Sequence, residues 1–292
     1  MKKIMVTGAT GELGTKTIQH LLFSKQIPAD EIAALVRRPE KATYLSKLGI
    51  TLRKGGYDDV SQMTAAFQNV EKLLIISSPE LDNMTRLQQQ YNVVRAAYQA
   101  KVGHIYLISL AETQERLFGL EDVDMATEHM VRATNIPFTI LKNAIYLDEL
   151  KPNILTAIKT KELVSSTDSM SFNYVLRDDL ALANATVLSE EGHENKIYYL
   201  TREHLISYPE IATILSEITD TEITHKALSD DGVTDYLLKH DVARENAEFI
   251  TLLQKSIREE KFATTSTAIS ELAGVKANNL KENLKSLLSD NI

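Results

Sequence analysis

The stretch "MVTGATGELG", Met5 to Gly14, sets glycines at positions 8, 11 and 14 directly behind the apolar run of residues 4–6. In a βα unit built to hold a dinucleotide, the first glycine permits the tight turn and the second lets the pyrophosphate approach the backbone. The third lets the helix pack closely on the strand. The exposed N–H groups and the positive end of the following helix then attract the phosphates. Glycines at such spacing also occur in plain turns, so the flanks decide: "IMV" precedes as a strand and "LGTKTIQHLLF" follows as a helix, the context this motif needs. The spacing Gly8-x-x-Gly11-x-x-Gly14 differs from the G-x-G-x-x-G form.

Outward from the turn, short β-rich runs alternate with helical patterns over the first 150 residues. "KIMVTG", "EIAALVR", "ITLRKG", "KLLIISS", "HIYLISL" and "PFTILKN" are separated by segments such as "TRLQQQYNVVRAAYQAK". Strands spaced by helices imply right-handed crossovers and an α/β fold on a doubly wound parallel Rossmann sheet. Near-continuous apolar strands such as "LLIIS" suit a sheet covered on both faces. Beyond Tyr146 the regularity falls. "KIYYL" and "TEITHKAL" read as strands, and "LISYPEIATILSEIT" and "DGVTDYLLKHDV" as helices. The expected division is a nucleotide-binding domain over residues 1–150, continuous with a smaller carboxy-terminal α/β lobe over 151–292 that binds substrate. No low-complexity linker and no solenoid repeat separates them.

Composition narrows the function classes. A chain of 292 residues, 43% of them hydrophobic, can bury a sizeable core. The sequence has no cysteine, which excludes disulfides, thiolate metal sites and thiol nucleophiles. The first apolar stretch stops at Thr7-Gly8, far short of a signal peptide's core, and no run of 18 apolar residues occurs. The expectation is a cytoplasmic protein without a membrane partner. A net charge of −8 leaves no broad basic surface, so nucleic acid is not expected as a partner either.

The end of the second strand selects the cofactor. A site preferring NAD offers an acidic residue to the ribose 2′-hydroxyl there, whereas "LVRRPEK" offers Arg37 and Arg38 and no carboxylate before Glu40. The spacing therefore points to NADPH, with Arg37, first after the strand, on the 2′-phosphate.

The stretches "VTGATGELG", "ALVRRPEKA", "LLIISSPE", "ATEHMVRATNIPFTILKNAIYLDEL" and "VLSEEGHENKIYYL" resemble the NmrA-like atypical short-chain dehydrogenases over roughly the first 225 residues. Within that family the resemblance is to reductases of flat, conjugated acceptors, quinones or cationic dyes. It implies that Thr10, Gly11, Glu12 and Leu13 lie along the pyrophosphate and that Ser77 and Ser78 pass the cofactor ribose. It further implies Asn143 near the nicotinamide and Tyr146 at the substrate pocket.

Two departures from the family pattern bear on chemistry. Short-chain dehydrogenases use Tyr-x-x-x-Lys as proton donor and its tuner, and no tyrosine of this chain has a lysine four residues on. The relatives place a lysine or histidine at the start of the helix leading to "TE", where this chain has Asp124. A carboxylate of ordinary pKa, about 3.9, cannot donate a proton near neutrality unless burial raises it. His129, on the same helix, is the alternative donor. In "KGGYDD", Gly56 replaces the family's acidic residue after the third strand, which loosens the expected adenine contact. Ketone reduction gains roughly 10²–10⁴-fold from a placed acid. Hydride addition to a cationic dye gives a neutral product, and reduction of a quinone gives a delocalised anion; both proceed mainly by orientation.

The seven histidines show no His-x-x-x-His spacing and no G-x-S-x-G elbow occurs, so neither a metal nor serine hydrolase chemistry is expected. Asp178-Asp179 reads as a helix start and "KSIREEK" as a solvated face. The sequence thus describes an NADPH-dependent oxidoreductase acting on a small conjugated acceptor, with an NADP-binding redox sensor or regulator without turnover as the alternative. It leaves a homodimer open.

Overall fold

The structure is a computed structural model and describes residues 4–111, 120–274 and 280–289. From the amino terminus it alternates β1 (Ile4–Val6), α1 (Glu12–Phe23), β2 (Ile32–Val36), α2 (Thr43–Lys47), β3 (Thr51–Lys54) and α3 (Val60–Ala66). There follow β4 (Lys72–Ile75), α4 (Asn83–Gln99), β5 (His104–Leu110), α5 (Leu120–Ala133) and β6 (Phe138–Asn143). With the later strand Lys196–Leu200 they form one seven-stranded sheet, ordered Lys196–Leu200, β6, β5, β4, β1, β2, β3 and parallel throughout. The order reverses between β1 and β4, so the carboxyl ends of those two strands border the crevice where open α/β sheets take their ligands.

Strand residues alternate between two covered faces, which explains the continuous apolar runs. Met5, Ala33, Leu35, Leu73, Ile75, Ile105 and Leu107 share a core with Met63 of α3, Val93 and Ala97 of α4 and Val131 of α5. The alternate residues Ile4, Val6, Ile32, Ala34 and Val36 are equally buried on the opposite face. α1 packs with the helix Arg177–Ser189, and between them Asn184 Nδ2 donates to Thr17 Oγ1 at 3.4 Å. Aspartates start two of the helices: Asp59 accepts from Gln62 N at 2.9 Å and Asp82 from Thr85 N at 2.8 Å.

The chain forms two compact units. The first comprises Met1–Asn143, Arg177–Leu200 and Glu271–Ala273, the second Ala144–Leu176, Thr201–Ser270 and Gly274–Ile292. The single cut expected at residue 150 is therefore not what the structure shows. The chain leaves the first unit after Asn143 and rejoins it over residues 177–200, because "KIYYL" pairs with the free edge of β6, from Lys196 opposite Thr139 to Leu200 opposite Asn143.

The second unit is the smaller α/β lobe. Its parallel strands Glu162–Ser165 and Thr224–Ala227 lie among the helices Lys151–Thr160, Tyr208–Thr219, Asp230–Lys239 and Arg244–Arg258. Val164, Val233, Leu237, Ala247 and Ile250 form its core. Ser207 and Glu210 close a reciprocal capping box at the start of Tyr208–Thr219. The "KSIREEK" face is more than solvated: both Arg258 Nη atoms hold Asp230 at 2.9 Å, and Nη1 also donates to Ser166 O at 2.7 Å. No helix among the described residues is long and apolar enough to cross a membrane.

Candidate functional site

The glycine turn is built as its spacing requires. Gly8 has φ +59°, in the left-handed region, and a Cβ there would stand 3.1 Å from Ile76 Cβ. A Cβ on Gly14 would collide with the Gly8 carbonyl oxygen and lie 2.9 Å from Ala9 Cα. Gly11 N donates to Gly8 O at 2.9 Å, closing the turn, and α1 begins at Glu12 without a side-chain cap. Thr10, Gly11 and Glu12 are exposed while Leu13 is buried. An uncapped, exposed helix start presents unsatisfied N–H groups and a positive dipole end, the donor set an anion needs. The Glu12 carboxylate, which would oppose an anion there, pairs with Arg177 at 3.4 Å.

The neighbouring strand end is pinned against this turn. Thr7 Oγ1 accepts from Ile76 N at 2.9 Å and Tyr57 OH donates to Ile76 O at 2.7 Å. Burial pushes the Tyr57 hydroxyl up to about 12, so it stays a donor over the physiological range. Neither residue was marked by the sequence. Each acts through a contact across the sheet, which no local spacing encodes.

Arg37 is exposed directly after β2 and has no ion pair among the described residues. Its stem lies on Gly56, where a Cβ would stand 3.4 Å from Arg37 Cγ. Exposed turn, bare helix start and free guanidinium together fit a phosphorylated dinucleotide.

Ser77 and Ser78 follow β4 and behave differently. The Ser78 hydroxyl is buried, donates to Gln89 Oε1 and accepts from Glu80 N, and so shapes the loop. Ser77 is half-buried, donates to Asp124 Oδ1 at 3.2 Å and accepts from Gln90 Nε2 at 3.3 Å. Asp124, on α5, is 4% exposed, with Arg86 of α4 at 3.8 Å. Burial pushes its carboxyl up to about 6, against the downward pull of Arg86 and Ser77, with Glu128 and Glu121 adding to the rise. His129 lies on the exposed face of the same helix, one residue past buried Glu128.

Behind Asp124 lies a second buried group that sequence reasoning missed. Glu128 accepts from Ser109 Oγ at 2.6 Å and pairs with Lys142 Nζ at 3.0 Å, Lys142 lying 5.7 Å from the centre of the Tyr199 ring. The sequence signal was three acids, Glu121, Asp124 and Glu128, at the spacing that places them on one face of the helix. Asn143 ends β6 fully enclosed, its carbonyl accepting from Ala111 N at 2.9 Å. Tyr146 belongs to the second unit, half-buried opposite Val175. That unit also has a cleft of 570 Å³ lined by Asp148, Lys151, Leu155, His240, Val242 and Phe249, which none of the expected site residues enters. Asp178 starts its helix as expected and bonds His20 at 3.2 Å and Lys16 at 3.4 Å.

The profile of the NmrA-like family matches residues 1–287. This chain belongs to the NmrA-like family. Among its NmrA-like relatives, quinone oxidoreductase 2 of Escherichia coli is 34% identical over 252 residues, covering 82% of this chain and 87% of that protein. The Citrobacter sp. triphenylmethane reductase complexed with NADP(H) superposes with a TM-score of 0.92 at 38% identity, covering 98% of this chain and all of that one. The NADPH-dependent quinone oxidoreductase of E. coli complexed with NADPH gives a TM-score of 0.89 at 32% identity, with 98% and 99% covered. An NmrA-like fold over both units, rather than over the first alone, follows from that coverage.

Proposed function

We propose that this chain is an NADPH-dependent oxidoreductase that reduces quinones or triphenylmethane-type dyes. The observation that carries it is the Arg37 guanidinium, without an ion pair among the described residues, beside a bare, glycine-built helix start, in a chain 38% and 34% identical to a triphenylmethane reductase and a quinone oxidoreductase. When bound, NADPH supplies the hydride.

The residues of the chain bind and orient. N–H groups at Glu12 and Leu13 take the pyrophosphate, with Gly8 and Gly14 keeping the backbone close, and Thr10 and Gly11 lie along it. Arg37 takes the 2′-phosphate by charge-assisted hydrogen bonds. Ser77, half-exposed at the end of β4, meets the ribose. Asn143 lies near the nicotinamide, and Tyr146 at the substrate pocket. Without a Tyr-x-x-x-Lys pair, rate comes from holding a flat acceptor against the ring, worth several kcal/mol where geometry is fixed. Reduced product needs no strong acid. The reading includes a cytoplasmic location and a small-molecule acceptor as partner.

The test is to titrate the protein with NADPH and NADH in parallel, then follow loss of reduced-nicotinamide absorbance with a panel of quinones and triphenylmethane dyes. Tight NADPH binding with turnover of at least one acceptor class is the expected result. Tight binding with no turnover of any acceptor would replace this reading with a redox sensor.

A further inference from the structure

Asp124 is placed oddly for a structural carboxylate. It is almost wholly buried, yet its partner Ser77 is half-exposed at the carboxyl end of β4, next to the Ile76 that abuts Gly8. Among the described residues, the charged groups facing it are few. From α4 comes Arg86, at 3.8 Å, beyond hydrogen-bond length. From α5 come Glu121 and Glu128, both buried. Lys142 of β6 lies against Glu128 at 3.0 Å, and Ser109 of β5 donates to that same carboxylate. The Asp124 charge is therefore incompletely balanced, and it is separated from the ligand crevice by one hydroxyl.

Both acceptor classes named above gain one negative charge, but the dye starts as a cation and the quinone as a neutral molecule. When hydride leaves NADPH for a cationic triphenylmethane dye, a C–H bond breaks on the dihydronicotinamide and one forms at the dye's central carbon. The hydride's electron pair cancels the positive charge, giving NADP⁺ and a neutral leuco compound. When hydride passes to a neutral quinone, the product is NADP⁺ and a hydroquinone monoanion, which takes its proton from water. A nearby fixed negative charge attracts the first acceptor and opposes the charge that develops on the second.

We propose, resting on the reductase reading above, that Asp124 is a specificity-determining residue: its charged form favours cationic dyes and its neutral form favours quinones. Burial places the changeover at about pH 6. The expected signature is a ratio of kcat/KM for dye over kcat/KM for quinone that rises about tenfold as pH increases through that value. Taking the ratio at saturating NADPH cancels titration of the cofactor's own phosphate.

The experiment measures this ratio between about pH 5 and 8 with a dye that stays cationic and a quinone without ionisable groups. Asp124→Asn, which keeps the shape and the acceptor for Ser77, is expected to hold the ratio flat at its low-pH, quinone-favouring value. Arg86→Gln removes the facing cation and moves the midpoint to higher pH, and so tests the proposal even where Asp124→Asn fails to fold. A wild-type ratio independent of pH, or one whose midpoint Arg86→Gln leaves in place, overturns the proposal alone. Failure of both acceptors to oxidise NADPH overturns it together with the reductase reading.

Discussion

Arg37 concentrates the cofactor choice in one side chain. It is exposed, has no ion pair among the described residues, and lies against Gly56. A charge-assisted hydrogen bond is worth roughly 1.5–3 kcal/mol, so Arg37→Ala is expected to weaken NADPH binding by about ten- to a hundredfold. NADH binding, which lacks the phosphate, should stay within a few-fold; parallel calorimetric titrations compare the two. Gly14 is a second single-residue lever. Its Cβ would meet the Gly8 carbonyl, so Gly14→Ala must open the turn, at about 1–3 kcal/mol. A lowered melting temperature together with lost NADPH binding is the expected outcome, and full retention of both would refute the close-approach account.

At the scale of elements, α5 is fastened to β5 and β6 by polar groups rather than by apolar contact alone. Glu128 and Lys142 form an ion pair at 3.0 Å, each with only 8% of its side chain exposed. Removing one member of such a pair strands the other's charge, at roughly 3–5 kcal/mol, whereas replacing both is far milder. Lys142→Met or Glu128→Gln alone should therefore lower the urea midpoint more than the double variant does, and a strictly additive cycle would contradict the pairing. Elements of this kind mark the limit of what the chain discloses as text. The glycine turn, the strand alternation and Arg37 are legible because each rests on neighbours within a few residues. Asp124 bonds Ser77 across 47 residues, and its raised pKa depends on helices and strands that only the fold brings together. "KIYYL" was legible as a strand but not as the seventh strand of the main sheet, since an apolar-aromatic run pairs equally well with any free edge.

For the molecule as a whole, buried titratable groups set the response of stability to pH. Burial pushes His104 down to about 4, Glu194 opposing and Lys72 assisting, while it stacks on Tyr106 and bonds Thr139 at 2.9 Å. The unfolded chain binds a proton there near pH 6.5 and the folded chain does not, so stability falls as pH drops from about 6.5 to 4. Asp124 has the opposite sign: its raised pKa costs stability above about pH 6, and that cost is relieved as the pH falls. Urea midpoints measured down this range in Asp124→Asn remove the opposing carboxylate, leaving His104 together with His193 and His225, which burial also pushes down. The added variant His104→Gln should reduce the remaining slope, and an unchanged slope would mean His104 is protonated in the native state.

The return of residues 177–200 to the first unit has a consequence for how the protein is made. β6 waits for its edge partner, and α1 for the helix Arg177–Ser189, to which Thr17 is joined across 167 residues. A ribosome adding about 5–20 residues per second completes the glycine turn within the first few seconds, yet does not release the last strand of that sheet until roughly 10 s or more after starting. Throughout that interval the nascent chain carries an uncovered apolar helix flank and an open strand edge, the surfaces that holding chaperones bind. A fragment ending at residue 150, although it contains every phosphate-contacting residue proposed above, should accordingly aggregate rather than bind NADPH. Supplying residues 177–200 by fusing them through a short linker after Asn143 should restore both solubility and cofactor binding.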